Sequence, residues 1–126
     1  MLEQELISKL LSKAKKAFKN SYAPHTNSRR GAAIVNKKDE IFIGTEIENQ
    51  IWDLSMCAER VALFSALSDG AKDYKALAVI CEEDSCIPCG ACLQALKEYA
   101  PEIEIITANI NGDYKVNTLD QLLTSS

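Results

Sequence analysis

The chain has one histidine, one tryptophan, few aromatics (6% of 126 residues) and no excess of positive charge. Each scarcity closes off a class of function. Lysine and arginine total 14 against 18 aspartates and glutamates, giving a formal net charge of -4. A surface that wraps nucleic acid needs clustered cations to neutralise phosphates, so no nucleic-acid partner is expected. The thin spread of aromatics supplies no platform on which unpaired bases would stack. The one basic stretch, Lys9 to Lys19, interleaves with apolar residues and reads as the solvated face of a helix. No apolar run approaches the ~18 residues needed to cross a bilayer, and no membrane partner is expected. The start, Met1-Leu2-Glu3-Gln4-Glu5, is acidic and unlike a secretory leader. His25, alone in a loop stretch, reads as a loop residue.

Cysteine breaks this pattern. Residues 57, 81, 86, 89 and 92 are cysteines, and the odd number and the crowding from 81 to 92 argue against an exported disulfide framework. A reducing, cytoplasmic setting is the expectation. The length fits one domain, residues 1–126, with a single core.

Hydrophobic periodicity sets out the elements. Leu2, Leu6, Leu10 and Ala14, with Ile7, Leu11 and Phe18, predict an amphipathic helix over about residues 2–19. Residues 32–35 and 41–43 read as a strand hairpin across Asn36-Lys37-Lys38-Asp39. A loop over 46–56 leads to a helix from near Cys57, ended by Gly70. Residues 76–80 form a continuous apolar run suited to a strand covered on both faces. A helix over 89–99 follows Pro88 and is closed by Pro101, then a strand over 103–107. Asn111-Gly112 marks a tight turn, and Thr118 caps a short last helix. Helices alternating with buried strands predict a layered α/β sandwich whose first two strands are antiparallel.

The chemistry concentrates in Cys57-Ala58-Glu59 and Pro88-Cys89-Gly90-Ala91-Cys92. Both segments fall at predicted helix starts, where unpaired N–H groups and the helix dipole stabilise thiolates. Cys89 and Cys92 share one face of a first helical turn. Three protein ligands leave the fourth position of a tetrahedral zinc for water, which the metal acidifies toward a pKa of ~7. Glu59 is then the carboxylate positioned to carry protons. Three thiolates and zinc sum to a negative charge, and Arg60 and Gln94 are the side chains able to drain it through hydrogen bonds to sulfur. Two plainer readings stay open. Cys86 is a possible fourth ligand of a structural zinc, and Cys86-Ile87-Pro88-Cys89 has thiol-redox spacing. Cys81, at the end of a strand, reads as a small core residue.

These motifs, with Tyr22-Ala23-Pro24, Gly31-Ala32-Ala33, Glu48-Asn49, Arg60 and Gln94, resemble the small, homotetrameric, three-cysteine type of cytidine deaminase. The similarity runs from about Ser21 to Leu123. It implies a three-layer α/β/α sandwich with a mixed central sheet. One Zn2+ per subunit is implied on Cys57, Cys89 and Cys92, with Glu59 as proton shuttle. It also implies that the Ala58 N–H holds a pyrimidine carbonyl, that Glu48 holds a ribose hydroxyl, and that subunits form a homotetramer. The implied reaction is hydrolytic deamination of cytidine or deoxycytidine to uridine or deoxyuridine, releasing ammonia.

The departures from the family pattern lie around substrate. Ser28 stands where an aromatic is usual, and Arg30 where an aliphatic is usual, removing apolar contact to a flat ring worth ~1 kcal/mol. Glu46 replaces a ribose-binding Asn, and a carboxylate accepts from a hydroxyl but cannot donate. With Glu48 it forms an acidic rim that favours a neutral or cationic ligand. Leu93 replaces an Arg, and Leu122-Leu123-Thr124-Ser125-Ser126 lacks the family's usual aromatic tail. These changes keep two other functions in view. One is deamination of another aminopyrimidine, such as the nucleoside antibiotic blasticidin S. The other is a non-catalytic, zinc-stabilised binding protein of the same fold.

Overall fold

The computed structural model describes residues 2–84 and 86–125. Its elements, in chain order, are α1 (Gln4–Phe18), β1 (Arg30–Asn36), β2 (Ile41–Thr45), a 3-10 turn (Trp52–Leu54), α2 (Ala58–Ser68), β3 (Tyr74–Cys81), α3 (Gly90–Tyr99), β4 (Glu104–Asn109), β5 (Tyr114–Thr118) and α4 (Leu119–Ser125). Every helix and strand expected from periodicity is present, with ends shifted by up to about three residues. β5 and the 3-10 turn are additions to that expectation.

The strands lie in the order β2-β1-β3-β4-β5. β1 is antiparallel to both β2 and β3, β3 is parallel to β4, and β5 returns antiparallel to β4. The sheet is therefore mixed. Its one parallel pair needs a crossover, and α3 supplies it.

Strand alternation divides the core into two layers. Ala33, Val35, Ala76, Ala78, Ile80, Ile106 and Ala108 pack under Ile7, Leu10, Ala14 and Phe18 of α1. On the other face Ala32, Ile34, Leu77 and Ile105 meet Ala62, Leu63 and Ala66 of α2, Leu93 and Leu96 of α3, and Leu119 and Leu122 of α4. The result is the α/β/α sandwich. Each fully buried Leu or Ile in these layers contributes roughly 1.5–3 kcal/mol relative to exposure. Leu93 is one of them, wholly buried in the α2–α3 layer, so an aliphatic side chain there serves packing.

Two glycines bring helices close to strands. A Cβ on Gly31 would overlap the backbone of Ala14 and Phe18 in α1, and one on Gly44 would overlap the backbone of Ala58 and Ala62 in α2. Gly44 thus lets the first turn of α2 lie directly on β2. Gly44→Ala should cost about 1–3 kcal/mol or more, because the obstruction is backbone and cannot rotate away. Thermal unfolding, read together with zinc content, checks this, since the displaced turn carries Cys57 and Glu59.

β2 and β3 both end at the sheet edge where β1 begins: Thr45 pairs with Gly31, and Cys81 with Arg30. The chain leaves β2 into α2 and β3 into α3, so both helix starts gather at this edge.

Candidate metal centre and active site

Cys57 is the residue that caps the start of α2, and Cys89 occupies the same place on α3, with Cys92 in the first turn beyond it. The segment before α2 is held by short bridges between Tyr22 and Ile47 and between Ile47 and Met56. Ile47 and Met56 exchange both backbone bonds, at 3.0 and 2.8 Å, which fixes the approach to Cys57.

The three sulfurs converge. All lie within 4.8 Å of one another, with Cys57 to Cys89 at 3.8 Å and Cys89 to Cys92 at 3.3 Å. Tetrahedral zinc with bonds of about 2.3 Å requires sulfurs about 3.8 Å apart. Cys57, Cys89 and Cys92 therefore fit zinc in both donor type and spacing. Cys86 is not among them: it is bonded to Cys81, five residues earlier. This removes it as a fourth ligand and as a redox partner of Cys89. Cys81 is the small core residue expected at the end of β3, wholly buried against Val79 and Cys86, and its sulfur pairs with Cys86.

Arg60 Nη2 donates to Cys57 Sγ at 3.5 Å. Hydrogen bonding from the Cys92 thiol, aided by Arg60 and opposed by burial, lowers the Cys57 pKa to about 5. Cys92, which shares its proton with Cys57 in a desolvated place, is pushed upward. Zinc binding near pH 7 should therefore draw a proton from Cys92. The check is acid release on adding zinc in weak buffer; no release contradicts it.

Glu59 is 1% exposed. Its Oε2 accepts from Arg30 Nη1 at 3.2 Å, and its Oε1 is buried with no hydrogen-bond partner among the described residues. An unpartnered buried carboxylate oxygen is costly, and its presence beside the sulfurs points to a ligand that completes it. Burial raises the Glu59 pKa, and the Arg30 charge works against that rise. The same guanidinium also donates to the Ile87 carbonyl at 3.2 Å, tying the shuttle candidate to the loop before Cys89.

The remaining sequence-expected residues are distributed as follows. Glu46 Oε1 accepts from the Ala58 N–H at 2.9 Å, so a side chain of the protein occupies that donor. Burial pushes the Glu46 carboxyl up to about 7, against the pull of this bond. Glu48 is buried, and its carboxylate takes the His25 N–H at 2.8 Å, the Thr26 N–H at 3.2 Å and the Thr26 hydroxyl. The Thr26 hydroxyl bond draws the Glu48 pKa down. Ser28 is half-buried, its N–H bonded to Thr26 Oγ1 at 3.0 Å. Gln94 is exposed on α3, and no hydrogen bond joins it to the described residues.

Sequence reading places Arg30 beside the substrate only as a lost apolar contact and does not foresee its ion pair with Glu59, although its parity announces one. Residues 30, 32 and 34 of β1 share a face, and Ala32 and Ile34 lie on the α2 side. Thr26 was likewise missed, because its bond to Glu48 spans two loops.

A mixed-sheet sandwich with a three-thiolate site and a buried carboxylate at two helix starts defines a class of zinc-dependent hydrolytic protein. Residues 4–107 match the family described as "Cytidine and deoxycytidylate deaminase zinc-binding region". The chain belongs to this family. It is 36% identical over 119 residues to a cytidine deaminase of Sporosarcina psychrophila, covering 93% of this chain and 88% of that one. A crystal structure of cytidine deaminase from Burkholderia pseudomallei superposes with a TM-score of 0.87 at 38% identity, covering 96% of each chain. A more distant relative, blasticidin-S deaminase of Bacillus cereus, is 33% identical over 102 residues, 74% of this chain and 72% of that one.

Proposed function

We propose that the protein is a zinc-dependent aminohydrolase acting on small aminopyrimidine nucleosides. In this reading it converts cytidine or deoxycytidine to uridine or deoxyuridine, with one water consumed and one ammonia released. The observation that carries it is the pairing of a zinc-spaced sulfur triad with a buried carboxylate whose Oε1 has no partner among the described residues. Cys57, Cys89 and Cys92 would hold zinc, which when bound would acidify a water toward a pKa of ~7. Glu59 Oε1 accepts one proton from water and gives it to the ring nitrogen, then carries the second proton of that water to the departing amine. Arg30 steers the other oxygen of Glu59, and Arg60 withdraws charge from Cys57.

The protein acts, in this account, as a single domain and a homotetramer. Ile51, Trp52 and Leu54 are 62%, 68% and 61% exposed, an apolar face beside the site suited to a neighbouring copy. Among the described residues no helix is long and apolar enough to cross a membrane. A cytoplasmic role in pyrimidine salvage is compatible with one local disulfide, which closes a five-residue separation and builds no framework.

A second reading, deamination of another aminopyrimidine, is favoured by one specific contact, the Glu46 carboxylate on the Ala58 N–H. Ammonia release from cytidine, deoxycytidine, cytosine and blasticidin S by zinc-loaded protein tests both. Turnover of either nucleoside supports the first reading, and turnover of blasticidin S alone supports the second. A blank panel overturns both and leaves the non-catalytic binding protein.

A further inference from the structure

Arg29 and Arg30 are neighbours in sequence whose side chains part. Arg29 turns back to the end of α1, where its Nη2 donates to the carbonyls of Phe18 and Lys19 at 3.1 and 3.0 Å. Arg30 goes to the α2 side, and its backbone is held from both directions. Its N–H donates to Ser21 Oγ at 3.2 Å, and its carbonyl accepts from the Glu46 N–H at 3.1 Å. Its Cα is in register with Cys81 of β3, so the residue is a fixed post at the edge where both helix starts gather. Its side chain is only 18% exposed, and so it is spent inside the protein and not on solvent.

One nitrogen of that side chain joins two distant parts of the chain. Nη1 donates to Glu59 Oε2 at 3.2 Å and to the Ile87 carbonyl at 3.2 Å, across separations of 29 and 57 residues. Glu59 lies in the first turn of α2, and Ile87 lies just before Cys89, the residue that caps α3. The guanidinium therefore bridges the two segments that carry the three sulfurs. A carboxyl group turns readily about its last torsion, which is broad and roughly two-fold. Gripping Oε2 opposes that turn and leaves Oε1, which has no partner among the described residues, as the oxygen open to a ligand. The Ile87 bond acts on a stretch whose described residues, 82–84 and 86–88, form neither helix nor strand. An aliphatic side chain at position 30 offers no donor and could make neither bond.

We propose that Arg30 is a positioning residue that locks the Glu59 carboxyl and the loop before Cys89 into one unit, so that the proton carrier keeps its place relative to the sulfur triad. The proposal rests on the deaminase reading and adds to that same site a residue that acts through Glu59. Placement of this kind matters, because a shift of about 1 Å at a reacting group costs up to about 100-fold in rate. Loss of the link therefore slows the chemical step and leaves ground-state binding nearly as it was.

The test is Arg30→Ala, saturated with zinc and assayed on the nucleoside that the native protein turns over. The expected result is a kcat lower by about 10- to 100-fold, with KM changed by less than about threefold and zinc still bound. Millimolar guanidinium, which fits the space the side chain leaves, should restore part of that kcat. A native kcat overturns the proposal and leaves the deaminase reading intact. Loss of kcat together with zinc, or a loss that guanidinium does not mend, also overturns it, because Arg30 would then be a general support of the fold. If the native protein deaminates nothing, the deaminase reading fails, and crystal structures of zinc-loaded native protein and Arg30→Ala decide the positioning alone. A single Glu59 orientation in the native protein and a displaced or divided carboxyl in the variant sustain it; an unchanged carboxyl overturns it. Should Arg30→Ala not fold, the native crystal structure decides: a guanidinium bridging Glu59 and Ile87 beside bound zinc sustains the proposal, and one turned to solvent overturns it.

Discussion

Glu59→Gln should lower kcat for ammonia release by about 10²–10⁴-fold while zinc content stays at the native level. The amide keeps the size of the side chain and a partner for Arg30, now through its carbonyl oxygen. It has no basic oxygen to take a proton from water and no acidic proton to give to the amine. The substitution also removes a buried charge whose ionisation is opposed by burial, so stability should not fall with activity. Turnover and metal content therefore separate. KM should change far less than kcat, because the lost contribution belongs to proton transfer and not to ground-state binding. A Glu59→Gln protein that retains native kcat would remove the carboxylate from the chemistry. One that loses zinc would make Glu59 a support of the metal site.

Cys92→Ala should remove zinc and activity together. Cys92 is wholly buried, lies in the first turn of α3 and completes the sulfur triad. Its loss leaves two thiolates and should weaken zinc by more than the about 10- to 100-fold typical of losing an outer partner. Arg60→Leu supplies that smaller effect for comparison, since it removes a positive charge and hydrogen bonding beside Cys57 and Cys92 but no metal ligand. Cys86→Ala is the matching control and should keep its zinc, because Cys86 is bonded to Cys81. Chelator competition measures all three. Equal losses for Cys86→Ala and Cys92→Ala would contradict the assignment of ligands.

Much of this arrangement is legible in the amino-acid order, and what is not has definite physical causes. α1 and β3 follow from periodicity because each buries a whole stripe or both faces, so side-chain polarity reports their surroundings directly. β5 escapes such reading. Tyr114, Lys115 and Val116 are all exposed, and the strand lies at the sheet edge against β4, so neither face is buried and polarity does not report it. The sulfur triad is written in spacing, because two helix starts at one sheet edge fix where Cys57, Cys89 and Cys92 must point. The contacts of Glu46 with Ala58 and of Arg30 with Glu59 are not written that way. They depend on the reach of long side chains across separations of 12 and 29 residues. Glu48 illustrates the same limit. The resemblance implies a ribose contact for it, and the structure adds bonds from its carboxylate to the 25–26 loop that spacing does not show. The substitution of Leu93 for an Arg has a packing reason, since that side chain fills the layer between α2 and α3.

Metal analysis of purified protein, combined with X-ray absorption at the zinc edge, tests the central claim most directly. The account predicts one zinc per chain bound by three sulfurs at about 2.3 Å and one lighter oxygen neighbour. A protein without a divalent transition ion, or a zinc surrounded by four sulfurs, would contradict it.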